Sequence, residues 1–338
     1  MFIPSSYIVA VILCIVTMFA WGSWANTQKL ASQSWAFPLF YWDYVLGIVL
    51  LTGIFGLTLG SSGSSGSEGR AFLEDLSQGS TSAYLSALIG GVIFNLANLL
   101  IVAAISVAGM AVAFPVGIGI ALVLGVIVNY MASPVGNPAL LFAGVALVTI
   151  AIVLDAIAYK RLPKDKNEAV GKGLLLAVVG GVLMGFFYRF VADSISIDFV
   201  NPEAGLFTPY SAVFVFSLGI LISNFLWNTW FMRKPVSGTA VSYRDYFSLG
   251  TPRLHAIGIL GGIIWGIGMA FSMIASEKAG FAISYGLGQG ATMVAAAWGV
   301  FVWKEFKGAS KGTNRLITLM FLLFISGLIV IVYSRGSS

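Results

Sequence analysis

Residues 89–119, IGGVIFNLANLLIVAAISVAGMAVAFPVGIG, return without a gap as residues 260–290, LGGIIWGIGMAFSMIASEKAGFAISYGLGQG. Gly90, Gly91, Ile93, Ala104, Ala108, Gly109, Ala111, Gly117 and Gly119 fall on identical residues at Gly261, Gly262, Ile264, Ala275, Ala279, Gly280, Ala282, Gly288 and Gly290, at a constant offset of 171. The match reaches upstream. Pro38 and Pro209 open apolar runs at the same spacing, and Leu46-Gly47-Ile48 matches Leu218-Gly219-Ile220 after a one-residue slip. Such a chain must build two similar units, and many membrane carriers place a substrate site between units of this kind near the bilayer midplane.

The units read as membrane helices. The chain is 58% hydrophobic and 9% charged, which leaves too little polar surface to cover a water-soluble domain of this size. Crossing the hydrocarbon takes about 20 predominantly apolar residues, and ten runs qualify, at about 7–30, 38–60, 81–106, 109–132, 138–160, 172–192, 207–232, 253–277, 280–304 and 313–334. The first is longer than a signal-peptide core and reads as a retained span. Ser61 to Ser67, SSGSSGS, reads as a flexible solvated linker. The expected fold is an all-α polytopic membrane protein of ten transmembrane helices, with a first five-helix repeat over 1–160, a basic cytoplasmic linker over 161–171 and a second repeat over 172–338.

Lys and Arg in short loops favour the cytoplasm. Lys29, Lys160, Arg161, Lys164, Lys166, Lys172, Arg233, Lys234, Arg244, Arg253, Lys304, Lys307, Lys311 and Arg315 fall on one side of this topology. The other side receives Arg70, Lys278 and Arg335 together with Glu68, Glu74, Asp75, Asp193, Asp198 and Glu203. Both termini are therefore expected outside a plasma (inner) membrane. Each half has an odd number of spans, so the copies insert in opposite orientation, as an inverted 5+5 repeat. The net charge of +5 is spread over loops rather than gathered in a patch, which argues against a nucleic-acid partner.

Polar residues inside the runs are the candidates for function. Asn95 and Asn98 are three apart and Asn224 and Asn228 four apart, so each pair shares a helix face. Asn26 and Gln289 add further amides, and Trp21, Trp24, Tyr188, Trp265 and Tyr285 add aromatic faces. Any one amide is accounted for by interhelical hydrogen bonding. As a group with the aromatics, they form the surface a neutral polar solute needs, with rings to stack on it and amides to bond it. Asp43 is an intramembrane carboxylate and the candidate for proton coupling, while Asp155 reads as interfacial. Arg189 and Asp193 are one turn apart and could pair or gate the outer end. Pro115 and Gly286, at equivalent places, could bend their helices beside a central cavity. One histidine, His255, is expected at a helix entrance, and one cysteine, Cys14, stands alone. Neither a His/Cys metal site nor a Cys–His pair can form from them, so no enzyme, cofactor or metal is expected.

The segments GMAVAFPVGIGIALVLGVIVNY and GFAISYGLGQG, the ten-span plan and the VWKEF motif ending the ninth run resemble the drug/metabolite transporter superfamily. Within it the chain resembles the L-rhamnose–proton symporter and glucose/ribose porter group, and Tyr41-Trp42-Asp43-Tyr44 is similar to the ureide permeases. The resemblance implies a plasma-membrane carrier that couples uptake of a small polar metabolite to protons. It places Asp43 at the acidic position of the ureide-permease-like pattern and Gly109 to Gly119 on the fourth helix of the sugar carriers. The acid in the first helix of the small multidrug exporters is absent here, which argues against cation export.

The expected function is a secondary active transporter importing a neutral polar solute, with a sugar as the leading substrate, by proton-coupled alternating access. A ureide or nucleobase permease is the second reading, and a membrane scaffold or lipid-modifying enzyme the reading from another class. Its partners are the solute, the proton and the bilayer; the residues do not encode a readable oligomeric state.

Overall fold

The computed structural model describes residues 1–32, 34–62, 69–162 and 170–336. Most of the SSGSSGS linker, Glu68, Lys164 and Lys166 lie outside the described residues. The helices are α1 (Tyr7–Ser23), α2 (Ala25–Ala31), α3 (Phe37–Leu57), α4 (Phe72–Gln78), α5 (Thr81–Ala108), α6 (Met110–Ala132), α7 (Pro138–Lys160), α8 (Val170–Asp193), α9 (Pro209–Arg233), α10 (Tyr243–Leu249), α11 (Pro252–Ala279), α12 (Phe281–Gly288), α13 (Ala291–Ala297) and α14 (Lys311–Gly336). A π-turn at Trp298–Val302 follows α13. Among the described residues nine helices are long and apolar enough to cross a membrane, with α1 and α2 counted as one. Their starts are set locally. Ser6, Ser80, Asn137 and Thr251 accept hydrogen bonds from first-turn amides, and Pro38, Pro138, Pro209 and Pro252 sit where a helix needs no amide donor.

The run expected as one span over 280–304 is not one helix. Helix α12 stops at Gly288, Gln289 and Gly290 turn, and α13 resumes at Ala291 before the π-turn. Gly286, Gly288 and Gly290 weaken helix propensity there, and the Thr292 hydroxyl donates to the Gln289 carbonyl at 3.0 Å. That bond satisfies a group that lipid would leave unpaired. In the other copy Pro115 stays inside a continuous α6, so the interruption occurs in one copy only, three residues beyond Gly286.

Four helices make the centre. Helices α3 and α11 run side by side in one direction, so close that a Cβ on Gly262 would lie 1.9 Å from the Tyr44 carbonyl oxygen and one on Gly47 2.1 Å from that of Ile259. Helices α5 and α9 repeat this crossing, with Cβ positions at Gly91 and Gly219 lying 2.1 Å from the Phe216 oxygen and 2.3 Å from the Leu88 oxygen. Only glycine permits such an approach. Helices α3 and α9 cross antiparallel, joined by Thr52 to Ser217 at 3.0 Å and by Asn228 Nδ2 donating to the Pro38 carbonyl at 2.8 Å. Helix α8 packs on α5, α1 on α11, and α7 crosses α14 at Gly144 and Gly327. Gly109 and Gly280 join successive helices at equivalent positions with φ/ψ of 76/159 and 83/149, a region essentially reserved for glycine.

The described basic connections collect at one end. Lys29 pairs with Glu305 at 2.7 Å, Tyr159 donates to the same carboxylate at 2.7 Å, and Gly312 lies beside Arg161. The opposite, acidic end carries Arg70, Asp75, Asp193, Asp198 and Glu203.

Candidate functional site

Trp265 of α11 is the hub of a central aromatic layer. Its ring meets Phe94 of α5 at 4.3 Å, Trp21 of α1 at 5.9 Å, Phe216 of α9 at 6.1 Å and Tyr44 of α3 at 6.4 Å. Tyr44 stacks on Tyr41 at 5.2 Å and meets Trp24 at 4.8 Å. Asn98 Nδ2 donates to the Tyr41 hydroxyl at 3.2 Å. Trp21 fits because Gly268 and Gly288 leave a slot, where Cβ atoms would come within 2.5 and 2.8 Å of the indole.

Several polar groups around this layer lack partners. Asn95 Nδ2 donates to the Ile220 carbonyl at 3.2 Å and to Ser223 Oγ at 2.9 Å. Without a partner are Trp21 Nε1, the Tyr44 hydroxyl, Trp227 Nε1, Oδ1 of Asn95 and of Asn228, and both amide atoms of Asn224. Asn224 is 0% exposed and lies one turn beyond Ile220 on α9. A buried carboxamide with neither donor nor acceptor satisfied costs several kcal/mol.

Other candidates have their polar groups engaged or sit farther out, and Phe187 links Tyr188 and Tyr285 to the layer, meeting Phe94 at 5.1 Å and the two tyrosines at 6.1 and 6.5 Å. Tyr188 and Tyr285 meet at 5.0 Å, but the Tyr188 hydroxyl bonds Ser272 at 2.8 Å, and that of Tyr285 faces the Ala121 and Met184 carbonyls at 3.1 and 3.2 Å. Asn26 sits at the basic end, donating to the Ser23 carbonyl and accepting from Trp303 Nε1 at 2.7 Å. Trp303 and Trp298 are tied to Asn26 and to Ser23, the latter at 2.9 Å. Gln289 is buried at the α12–α13 break.

Asp43 is 1% exposed. Its Oδ1 accepts from the Tyr246 hydroxyl at 2.5 Å, His255 Nδ1 lies 2.9 Å from Oδ1 and 3.1 Å from Oδ2, and Trp35 Nε1 donates to Oδ2 at 3.3 Å. Helix α11 comes this near because Gly258 has no side chain: a Cβ there would lie 2.4 Å from Asp43 Cβ. The His255 side chain is 28% exposed, so the buried carboxylate communicates with the basic end through one imidazole. Burial, and then the Asp43 carboxylate, push the Tyr246 phenol well above its ordinary range, so it remains a neutral donor. Sequence reasoning missed His255, Tyr246 and Trp35 as partners of this acid. The available signal was that His255 precedes Gly258 by about one helical turn near the start of α11.

The acidic end has a counterpart. Asp75 on α4 is 0% exposed; its Oδ1 takes the Arg70 Nε at 2.9 Å, and its Oδ2 accepts from the Thr208 amide and hydroxyl at 2.7 and 2.9 Å. Helices α4 and α10 themselves obey the 171-residue offset, which puts Asp75 and Tyr246 in equivalent places. Phe72 of α4 meets Phe214 of α9 at 5.4 Å, and Tyr243 of α10 meets Trp42 of α3 at 5.7 Å. Each short helix thus lies against one end of the bundle. Arg189 and Asp193 pair one turn apart at the acidic end, 26% and 44% exposed. Asp155, expected at the interface, is buried one turn before Tyr159. Among the described residues no group of three or more His, Cys, Asp or Glu could hold a metal ion.

A family model described as ureide permease matches residues 40–174 and 160–334. Ureide permease 2 and Ureide permease 1 of Arabidopsis thaliana are 23% and 24% identical to the chain, each alignment covering 97% of both proteins. Transmembrane protein 144 homolog B of Dictyostelium discoideum is 24% identical over 52% of this chain and 43% of its own. A solved crystal structure superposes over 98% of this chain and 99% of its own, with a TM-score of 0.58 at 16% identity, a likeness of fold alone.

Proposed function

The chain belongs to the ureide permease family, and on that premise we propose that it is a secondary carrier for a small flat solute with adjacent N–H and C=O groups, a ureide or related cyclic amide. Family membership supports a membrane transporter of small solutes over an enzyme. The sugar expectation yields to the second reading, because the relatives matched along nearly their whole length carry the ureide name. One observation carries the choice. Asn224 presents an unpaired donor and an unpaired acceptor, buried on the face of α9 whose Ser217 and Asn228 reach α3, the helix that carries Tyr41 and Tyr44. A carboxamide edge complements an amide edge, and aromatic faces receive a planar ring.

The carrier works by alternating access between two inverted five-helix repeats, 1–160 and 172–338, joined by the basic connection 161–171. Supporting this are the antiparallel α3 and α9, the matched glycine crossings, and the equivalent short helices at opposite ends. Opening toward the basic end requires α10 to release Asp43; opening toward the acidic end requires α4 to release Thr208. Protonation of Asp43 through His255 removes a carboxylate acceptor from Tyr246 and loosens the first closure, which couples the proton to the cycle. The charge asymmetry places the basic end in the cytoplasm of a plasma (inner) membrane. The test is uptake into proteoliposomes with competition by allantoin, uracil, L-rhamnose and glucose, with and without a proton gradient. Inhibition by allantoin or uracil, and accumulation only with the gradient, are expected. Inhibition by the sugars alone would return the protein to the sugar reading.

A further inference from the structure

Between the π-turn and α14, at the basic end, lies a cavity of about 450 Å³ that the transport cycle described above does not use. Lys304 and Lys307 line it, with Asn314 and Thr318 on the α14 side and the rings of Phe301 and Phe321 below them. Those rings stack at 5.8 Å. Phe301 is 67% and Val302 55% exposed, so this face presents apolar side chains outward. Among the described residues neither lysine is in an ion pair. The acid between them, Glu305, is turned away and engaged by Lys29 and Tyr159. Lys304 holds φ at 54, the left-handed region that a non-glycine residue keeps only where its surroundings impose it.

We propose that this cavity binds the headgroup of one anionic phospholipid from the leaflet at the basic end. Lys304 and Lys307 meet the phosphate, the Asn314 side chain supplies a polar contact, and the acyl chains lie along Phe301 and Phe321. Two uncompensated ammonium groups at headgroup depth, above an apolar lipid-facing wall, match an amphiphile with a negative head better than a soluble anion, which would gain nothing from the wall. Lipid held here would rest on the segment that follows the α12–α13 break. The inference needs only that the chain spans a membrane, and stands apart from the choice of transported solute.

The experiment is native mass spectrometry and thermal unfolding of the purified full-length protein, titrated with phosphatidylglycerol, phosphatidylcholine or glycerol 3-phosphate. Phosphatidylglycerol should bind selectively and raise the unfolding temperature. The K304Q/K307Q variant should bind it roughly 30-fold more weakly, about 1 kcal/mol for each ammonium group removed. K311Q/R315Q, with the same loss of charge outside the cavity, should retain the effect, and K304R/K307R should restore it. Equal binding of both lipids, an unchanged response in K304Q/K307Q, or a matching stabilisation by glycerol 3-phosphate alone would overturn the proposal.

Discussion

Phe94 and Trp265 stand at equivalent places in the two similar segments and meet ring to ring at 4.3 Å in the centre of the molecule. Polar content is not shared between the two similar segments. Asn95 on α5 has Gly266 as its counterpart on α11, and Asn224 on α9 has Thr52 on α3 after the one-residue slip. Two segments of similar sequence therefore carry different sets of amides.

Replacing Asn224 by Leu should separate binding from stability. Both amide atoms lack partners, so an apolar side chain of similar size should leave the solute-free protein as stable or more so. Solute affinity should fall roughly 10- to 100-fold, the equivalent of about 1–3 kcal/mol. Thermal unfolding together with equilibrium solute binding reads both effects.

Asp43→Asn should still bind solute and equilibrate it across the membrane, but should lose accumulation driven by a pH gradient. Tyr246→Phe, which removes the 2.5 Å donor, should keep binding and leak at the basic end. Proteoliposome uptake with and without an imposed gradient distinguishes the two, and undiminished accumulation by the Asp43 variant would remove this carboxylate from the coupling.

At the helix crossings, Gly262→Ala and Gly91→Ala should each destabilise the protein by about 1–3 kcal/mol, because the new methyl group would overlap a backbone carbonyl that cannot move freely. Gly119→Ala, where nothing lies within 4 Å of the added carbon, should be nearly silent. Denaturant unfolding in detergent compares the three.

Acid should loosen α10. The Ser242 hydroxyl and amide hold the Asp245 carboxyl below its ordinary 3.8. Its capping contribution is therefore fully present above pH 3.8 and is lost as pH falls below that value through the depressed folded one. Amide exchange over residues 243–249 should speed up in that window, while Asp245→Asn should exchange faster than the wild type above pH 3.8 and lose the pH step.

Membrane embedding, the placing of most spans, the paired glycines and the gathering of lysines and arginines at one end could all be read along the chain. Hydropathy, small side chains and loop charge act over a few consecutive residues, and a duplicated sequence displays its own offset. The partners of Asp43 could not be read this way, since Trp35, Tyr246 and His255 reach it from a loop and two other helices. Nor could the difference between Tyr188, whose hydroxyl is spent on Ser272, and Asn224, whose amide is left open. The break at Gln289 was equally hidden, because glycine lowers the cost of interrupting a helix without requiring it. Which polar atoms are satisfied depends on which helix faces meet, and that register was decided only when the glycine crossings brought the tertiary structure together.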